Sequence, residues 1–359
     1  MQISTFQITL KKRYPLRISR GLITENQNLW VVVEDGGLRG YGEMAPGGGI
    51  VAVTPERGAA ELAGFASCLT IPSTNGDLPS IIELSDEGSR QLSPPVCAAL
   101  DIALWDLQAK RAGMPLWRLL GLSRNLPPTS VTVGINPPEI QRERVPEILE
   151  RTQATILKIK LGSPEGIDAD KEAFLAILDA LPRDRHWSIR VDANGGWSPA
   201  NAEVMMRWLS AHKVEFVEQP LPVEQNDALP HLFQHRPLPL FVDESCQRSV
   251  DLSPLTGCID GVVVKLMKAG GITEALRIVA TARAHRLQTM IGCMGESSIG
   301  IAAGAAIASL CDKVDLDSHL NLLPDPARGI SYQQGQIIPS TRFGHGGEPV
   351  EEWIYSGSK

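Results

Sequence analysis

The chain has 359 residues, a formal net charge of -7 and 21% charged residues, which is enough length for two domains with a full-sized core. It contains no basic run or RNA-binding signature, which argues against a nucleic-acid partner. No apolar stretch approaches the ~20 residues of a membrane span, and the alternating N-terminus lacks the apolar segment of a signal peptide. The 6 cysteines are scattered without a CxxC spacing, as in proteins of a reducing compartment. We therefore expect a soluble, cytoplasmic protein.

The first 45 residues are predicted to form an antiparallel sheet with an Asp-Gly-Gly hairpin turn at 35–37. Two loops interrupt this region. Residues 14–21 are polar and contain Arg17 and Arg20, and residues 45–50 contain three consecutive glycines. Each loop is either an ordinary turn or a mobile cover over a site in another domain.

Residues 55–121 have the apolar spacing of helices. The clearest helix begins at the Pro-Pro pair at 94–95 and ends before Gly113. Asp101 and Asp106 lie in this helix, and we expect them to have structural rather than catalytic roles. A second Pro-Pro pair at 127–128 marks a domain boundary, so the first domain is predicted to span residues 1–126.

Residues 127–324 alternate between strand and helix patterns. Eight such strands predict an α/β fold with a parallel barrel rather than an open sheet. The segments are short, apolar and β-branched, as expected when both faces of a sheet are covered. The predicted strands are residues 130–135, 155–161, 187–192, 214–218, 239–243, 261–265, 288–292 and 313–317. The glycine-rich tail, residues 325–359, is expected to return to the first domain.

Five successive strand-helix units each place one charged group at the end of a strand. Lys160, Asp192, Glu218, Asp243 and Lys265 follow one another at roughly 20 to 35 residues, about the length of one unit in a (β/α)8 barrel. The carboxyl ends of barrel strands meet at one mouth. Three carboxylates there are suitable ligands for one Mg²⁺ ion, and the absence of His and Cys at these positions disfavours zinc.

Lys160 and Lys265 are predicted to lie on opposite walls of this mouth. Lys158 shares a strand face with Lys160, because side chains two apart in a strand point the same way. Desolvation, the neighbouring ammonium and a divalent cation would each lower the pKa of a lysine base. Two such bases are suited to removing a proton α to a carboxylate from one face and returning it on the other. The metal would hold the doubly charged enediolate intermediate.

The chain resembles the enolase superfamily, in its muconate-lactonizing subgroup, over nearly its whole length. The segments that carry this resemblance are Leu-Lys-Ile-Lys-Leu-Gly at 157–162, Val-Asp-Ala-Asn at 191–194, Val-Glu-Gln-Pro at 217–220, Asp-Glu-Ser at 243–245, Val-Lys-Leu-Met-Lys-Ala-Gly-Gly at 264–271, Ala-Leu-Asp-Ile-Ala-Leu-Trp-Asp-Leu at 99–107 and Gly-Met-Pro-Leu-Trp-Arg-Leu-Leu-Gly at 113–121. The use of a lysine base with Mg²⁺ in this superfamily is a general example of pKa tuning.

The resemblance implies a modified TIM-type (β/α)7β barrel with an α+β capping domain, formed by the N-terminal segment and the C-terminal tail. The loops near Arg20 and Gly48 would then shape a site for a small-molecule substrate. Lys158 would hold the substrate carboxylate, Lys160 and Lys265 would form the acid/base pair, and one Mg²⁺ would bind per subunit. Lys268 lies beyond the strand end and is the less favoured base. We expect a homo-oligomer.

Members of the subgroup catalyse several reactions, and the fold alone does not decide among them. Asp315 and Asp317, two apart on the last strand, resemble the Asp-x-Asp of dipeptide epimerases, which pairs with the substrate's free ammonium. Met294 and Glu296 would lie near the substrate or Lys265. Strand 1 departs from the pattern, because Gly134 stands where some relatives have a small hydroxyl residue.

The resemblance therefore implies a dipeptide epimerase of the L-Ala-D/L-Glu type. Arg20, or Arg17, could pair with an acidic C-terminal residue of the dipeptide or could simply be solvated. The alternatives are an o-succinylbenzoate synthase, an N-acylamino acid racemase or a muconate-type cycloisomerase. A metal-binding barrel without catalysis is a third interpretation.

Overall fold

The computed structural model describes residues 1–46, 52–68 and 80–350. The glycine run of the second predicted loop, residues 47–49, and the last residues of the tail lie outside this part of the chain. Within it, no helix is both long enough and apolar enough to cross a bilayer.

An antiparallel three-stranded sheet begins the chain: β1 (Gln2–Ile18), β2 (Gly21–Asp35) and β3 (Leu38–Met44). The prediction of a polar loop over residues 14–21 is wrong. β1 continues to Ile18 and pairs with Gly21, although the register shifts between Lys11 and Leu16. From Ile8 to Ile18 the strand alternates between inward and outward side chains, so Lys11, Arg13 and Arg17 lie on its exposed face.

Four helices follow the sheet: α1 (Pro55–Cys68), α2 (Ile81–Gln91), α3 (Pro94–Arg111) and α4 (Leu116–Leu119). α1 and α3 pack against the sheet, whereas α2 and α4 pack on α3. α3 crosses β3 at Gly40 and Gly42, where an added Cβ would lie 2.0 and 1.9 Å from helix carbonyl oxygens. The two glycines therefore allow the helix backbone to lie directly on the strand.

Eight parallel strands form the barrel, in the order in which they occur along the chain. The strands are β4 (Val131–Val133), β5 (Ile156–Lys160), β6 (Ser188–Asp192), β7 (Val217–Glu218), β8 (Leu240–Val242), β9 (Gly261–Lys265), β10 (Gln288–Gly292) and β11 (Lys313–Asp315). A bridge between Thr129 and Val314 brings the first and last strands together. The predicted parallel barrel is confirmed, with each strand equal to or shorter than its predicted range.

Helices cover the outside of the barrel and follow the strands in turn. They are α5 (Pro138–Thr152), α6 (Ile167–Ala180), α7 (Pro199–Ser210), α8 (Leu229–His235), α9 (Leu252–Leu255), α10 (Leu266–Ala269), α11 (Ile272–Ala284) and α12 (Ser298–Ile307). Short 3₁₀ segments lie at Val223–Ala228, Ser249–Asp251, Ala308–Leu310 and Ser318–Asn321. The amino-terminal end of the barrel is filled by side chains, including Phe216 stacked on Phe241 with ring centroids 4.3 Å apart.

The tail contains two small strand pairs and contacts both the sheet domain and the barrel. β12 (Ala327–Arg328) pairs with β15 (Glu348–Pro349), and β13 (Ser331–Gln333) pairs with β14 (Gln336–Ile338). The backbone N–H of His345 donates to Asp106 at 2.8 Å, and Leu116 donates to the carbonyl of Gly344. The tail thus packs on the first domain, as expected, and Asp106 has a structural hydrogen bond there.

Two buried carboxylates of the first domain cap the amino-terminal ends of two barrel helices. Glu43 accepts hydrogen bonds from the N–H of Ser297 at 3.0 Å, its hydroxyl at 2.7 Å and the N–H of Gly300 at 3.0 Å, at the start of α12. Asp101 accepts the N–H groups of Ile272 and Thr273 and the Thr273 hydroxyl at the start of α11. Negative charge is favourable at a helix N-terminus. These contacts hold the first domain over the barrel.

We predict that Asp101→Asn lowers the free energy of unfolding by about 1–3 kcal/mol, because hydrogen bonds to a buried charged acceptor are replaced by weaker ones. Urea denaturation followed by circular dichroism measures the change. Asp227→Asn on an exposed 3₁₀ segment is the matched control and should change stability by less than about 0.5 kcal/mol. Equal stability of the two variants would contradict a capping role for Asp101.

Candidate active site

The charged residues at the strand ends form one row across the mouth of the barrel. Lys160 of β5 is level with Asp192 of β6, and Asp192 is level with Glu218 of β7. Asp243 directly follows β8, and Lys265 ends β9. The structure therefore brings together the five groups that the sequence placed at successive strand ends.

Lys160 and Lys265 lie on opposite walls of one cavity. β5 and β9 are separated by three strands in an eight-stranded barrel, so they face each other across it. Both lysine side chains line the same cavity of about 140 Å³, which opens between the barrel mouth and β1. Asp192, Glu218 and Asp243 lie between the two lysines on the intervening strands.

The three carboxylates are buried, with relative exposures of 0%, 0% and 1% for Asp192, Glu218 and Asp243. Burial and the neighbouring charge of Asp192 raise the pKa of Glu218 well above its ordinary value. Burial alone would raise the pKa of Asp192, but Lys160 and Lys158 outweigh it and hold the pKa well below the ordinary range. The carboxylates are therefore close enough to repel one another and need positive charge.

Lysine ammonium groups supply this charge in the structure. Lys158 Nζ lies 2.8 Å from Glu218 and 3.1 Å from Asp192, and Lys160 Nζ pairs with Asp192. Lys265 Nζ lies 2.7 Å from Asp243. Burial lowers the pKa of Lys265, but the Asp243 carboxylate outweighs burial and the net pKa is raised. In this ion-paired arrangement the Asp243 carboxylate stabilises the charged form of Lys265; the prediction of a lowered lysine pKa concerned a site that also holds a divalent cation.

The donor set fits one Mg²⁺ ion, since it consists of three buried carboxylates on adjacent strand ends. Glu218 Oε2 lies 2.8 Å from Lys158 Nζ without a well-directed hydrogen bond. In the described part of the chain, no group of three or more Asp, Glu, His or Cys side chains is already gathered around one point. Each carboxylate is turned towards a lysine instead. A divalent cation would balance the same negative charge.

Lys268 occupies a different environment from the two facing lysines. It is buried, and its Nζ donates to Asp243 Oδ1 and to the carbonyl of Val263, both at 2.8 Å. It does not line the cavity shared by Lys160 and Lys265. These contacts make Lys268 a support for Asp243.

Asp315 and Asp317 both line the cavity but have different partners. Asp315 accepts from Lys158 at 2.8 Å and from the Ser130 hydroxyl at 2.6 Å. Asp317 Oδ2 accepts the N–H of Thr132 at 2.6 Å, and Oδ1 lies 3.9 Å from the sulfur of Cys293. Burial and the Asp315 charge raise the pKa of Asp317. Asp317 is therefore the carboxylate of this pair that lacks a cationic partner within salt-bridge distance among the described residues.

Met294 and Glu296, expected near the substrate or Lys265, are placed differently from each other, and the charge of Lys265 acts on Glu296. Met294 lines the cavity. Glu296 is buried, does not line the cavity, and accepts the N–H of Met294 at 2.8 Å. Burial raises the pKa of Glu296 to about 8. Glu296 thus supports the backbone that carries Met294.

Arg20 lines the cavity, whereas Arg17 points outward. The Arg20 guanidinium lies 2.8 Å from Glu244 and donates to the carbonyl of Asn194 at 3.1 Å. Gly134 lies under the end of β1, where an added Cβ would be 3.0 Å from Leu16 and 3.2 Å from the Arg17 backbone. The glycine that follows β4 therefore allows β1 to approach the barrel mouth closely.

The cavity has further walls that were not among the predicted site residues. Apolar side chains of β1 and β2 and basic side chains of β1 and α5 line it: Leu16, Ile18, Ile23, Lys12, Arg144 and Arg151. The alternation of β1 indicates which of its residues face inward. The predicted loop over residues 14–21 hid this alternation for Leu16 and Ile18.

Comparisons with known proteins support the architecture. Residues 141–353 match the family described as "Enolase C-terminal domain-like", and residues 1–121 match "Mandelate racemase / muconate lactonizing enzyme, N-terminal domain". A hydrophobic dipeptide epimerase of Roseobacter litoralis is 53% identical, covering 97% of this chain and 98% of that protein. A hydrophobic dipeptide epimerase of a Flavobacteria bacterium is 49% identical, covering 98% and 99%.

A solved structure has the same fold. The dipeptide epimerase of Cytophaga hutchinsonii, complexed with Mg and the dipeptide D-Ala-L-Val, superposes with a TM-score of 0.89 at 28% identity, covering 98% of this chain and 96% of that one. The sheet domain and the barrel thus have counterparts over nearly the full length of related proteins. The chain belongs to the mandelate racemase/muconate lactonizing enzyme family of the enolase superfamily.

Proposed function

We propose that this protein is a Mg²⁺-dependent dipeptide epimerase, an isomerase that inverts the α-carbon of the C-terminal residue. The proposal rests on Lys160 and Lys265, which enter one cavity from opposite walls with three carboxylates between them. Relatives about half identical over nearly the whole chain are named hydrophobic dipeptide epimerases, which supports the same reaction class.

The two lysines carry the proton transfer. One lysine accepts the α-proton as the C–H bond breaks, and the ammonium of the other donates a proton to the opposite face of the same carbon. Proton loss and gain balance, so no oxidant or other reactant is required. Because the bases approach from opposite sides, the configuration of the carbon is inverted.

The carboxylate trio sets the charge of these bases. Asp192, Glu218 and Asp243 would hold Mg²⁺, which would supply electrostatic stabilisation of the negative charge that develops on the substrate carboxylate. If Asp243 served as a ligand, it would no longer pair with Lys265, while the burial that lowers the pKa of Lys265 would remain. The lowered lysine pKa expected from the sequence would then apply to the metal-bound enzyme.

Asp317 binds the free ammonium of the dipeptide in this proposal. Its Oδ1 faces the cavity without a nitrogen donor, and its other oxygen is held by the backbone of Thr132. A half-buried carboxylate without a cationic partner favours a charged donor. Asp315, in contrast, holds Lys158 in place through their 2.8 Å ion pair.

The C-terminal side chain of the substrate is hydrophobic in this proposal. Leu16, Ile18 and Ile23 form an apolar wall of the cavity beside Arg20. Glu244 already neutralises the Arg20 guanidinium at 2.8 Å, so an acidic side chain would have to compete with a buried carboxylate. The alternative is a preference for Ala-Glu, which would be expected if Arg20 were free. Comparing L-Ala-L-Glu with dipeptides that have a hydrophobic C-terminal residue tests this alternative.

We predict that Glu218→Gln weakens Mg²⁺ binding by at least about tenfold, because one charged ligand is lost. Isothermal titration of the metal-stripped protein with MgCl₂ measures the affinity. Glu215→Gln is the matched control, since it precedes β7 at the other end of the barrel and should bind Mg²⁺ like the wild type. Unchanged affinity in Glu218→Gln would rule out this metal site.

We predict that in deuterated water the enzyme exchanges the α-hydrogen of the C-terminal residue in L-Ala-L-X dipeptides, fastest where X is hydrophobic. Mass spectrometry and chiral chromatography measure exchange and inversion. Faster turnover for X = Glu would favour the Ala-Glu type, and no exchange on any dipeptide would refute the proposed function.

The lysines are tested in the same assay. Lys160→Ala and Lys265→Ala should each abolish epimerisation, with a loss of at least about 10²-fold, and each should retain slow exchange with only one epimer. Lys171→Ala, in a surface pair with Asp168, is the control and should behave as wild type. Exchange of both epimers by either active-site variant contradicts the two-base assignment.

We predict that Asp317→Asn raises KM for the preferred dipeptide by about 10- to 100-fold, because the substrate ammonium loses its charged partner. The N-acetylated dipeptide has no free ammonium, so the same variant should leave the KM for this compound unchanged. If the protein were instead an N-acylamino acid racemase or an o-succinylbenzoate synthase, Asp317→Asn would leave the KM for that enzyme's substrate unchanged, and neither the variant nor the wild type would turn over dipeptides.

A further inference from the structure

Lys12 interrupts an otherwise apolar or aromatic row on the inner face of β1. Alternate residues of this strand face inward, and the row consists of Ile8, Leu10, Lys12, Tyr14, Leu16 and Ile18. Ile8, Leu10 and Ile18 are buried in the core. The adjacent Lys11 points outward and is exposed. A lysine in this row is costly to bury, so its presence points to a role in the cavity that it lines.

The backbone holds Lys12 at a fixed place beside Asp317. Lys12 forms an antiparallel bridge with Leu322, and the N–H of Leu323 donates to the carbonyl of Lys11 at 3.0 Å. Burial lowers the pKa of Lys12, and the nearby Asp317 carboxylate opposes this effect. Within the described residues, the Lys12 ammonium is not within salt-bridge distance of any carboxylate. It therefore contributes a positive charge to the cavity wall that is not held in a direct ion pair.

Two arginines of α5 extend this basic wall. Arg144 and Arg151 lie on the ring of Tyr14, with guanidinium-to-centroid distances of 5.4 and 5.8 Å. Arg144 donates to the side-chain oxygen of Asn136 at 3.1 Å, and Arg151 donates to the carbonyl of Leu320. Both partners are neutral. Asp315 and Asp317 are the carboxylates that line the cavity in the described chain, and Asp315 is paired with Lys158.

We propose that Lys12 determines which N-terminal residue the dipeptide may carry, by rejecting a cationic side chain and accepting a neutral or acidic one. This inference rests on the proposed function and deepens it. When the substrate ammonium binds Asp317, the side chain of the substrate's N-terminal residue enters the part of the cavity that is lined by Lys12, Arg144 and Arg151. A lysine or arginine side chain there would be desolvated among like charges without a carboxylate partner.

The experiment compares three substrates that differ only in their first residue: L-Met-L-Leu, L-Glu-L-Leu and L-Lys-L-Leu. The measured quantity is kcat/KM for α-deuterium exchange, expressed as the ratio of L-Lys-L-Leu to L-Met-L-Leu. We expect this ratio to be about 0.1 or lower in the wild type, because like charges at close range disfavour binding. L-Glu-L-Leu should be at least as good a substrate as L-Met-L-Leu.

Lys12→Met removes the charge at similar side-chain length and should raise the ratio by about tenfold, mainly through KM. Lys12→Glu should raise it further, because a carboxylate attracts the cationic side chain. Lys11→Met on the outer face of the same strand is the matched control and should keep the wild-type ratio.

A ratio that stays within twofold of wild type in both Lys12 variants, while L-Met-L-Leu is turned over, overturns the role of Lys12 and leaves the proposed function intact. Absence of turnover on every dipeptide by the wild type instead refutes the proposed function, and the role of Lys12 with it. A wild type that accepts L-Lys-L-Leu as well as L-Met-L-Leu also contradicts the inference.

Discussion

The charge balance at the carboxyl ends of the barrel strands is the constraint on which the site depends. Three buried carboxylates on adjacent strands cannot all remain ionised without positive charge beside them. Lys158, Lys160 and Lys265 provide this charge from the neighbouring strands. The arrangement of the strand ends thus depends on one set of ion pairs. In the proposed reaction, a cation bound by the three carboxylates would take over this charge balance and leave the lysines available for proton transfer.

Buried carboxylates also attach the first domain to the barrel, but they have a different kind of partner. Glu43 and Asp101 are buried carboxylates, but their partners are backbone N–H groups at helix N-termini rather than lysines. Such contacts have no exchangeable cationic partner, so they fix the sheet domain over the barrel. β1 is then held close enough to form one wall of the cavity, where Gly134 leaves room for it.

Much of the fold could be predicted from the sequence, and so could the row of charged strand ends. Buried parallel strands are short apolar runs at a regular spacing, and a charge directly after such a run marks the mouth of the barrel. Partner choice could not be predicted in the same way. Asp315 pairs with Lys158, a residue far away in the sequence, and the spacing of strands does not determine the distance between them. Glu296 binds the N–H of Met294 because of the direction of its side chain, which the sequence also does not determine. The sequence did not indicate a role for Lys12, because a lysine in a strand is usually exposed and only the tertiary structure places this part of β1 over the barrel mouth.

The cavity separates reaction chemistry from substrate selection along structural lines. The lysines and carboxylates are on barrel strands, where changing one residue disturbs the charge of several neighbours. Residues of β1, β2 and α5 also line the cavity, and Arg20 there is paired with Glu244, whereas Lys12 has no carboxylate within salt-bridge distance in the described chain. In the proposed function, substitutions on β1 and β2 would therefore alter which dipeptide is bound, while the barrel strands keep the lysines and carboxylates in place.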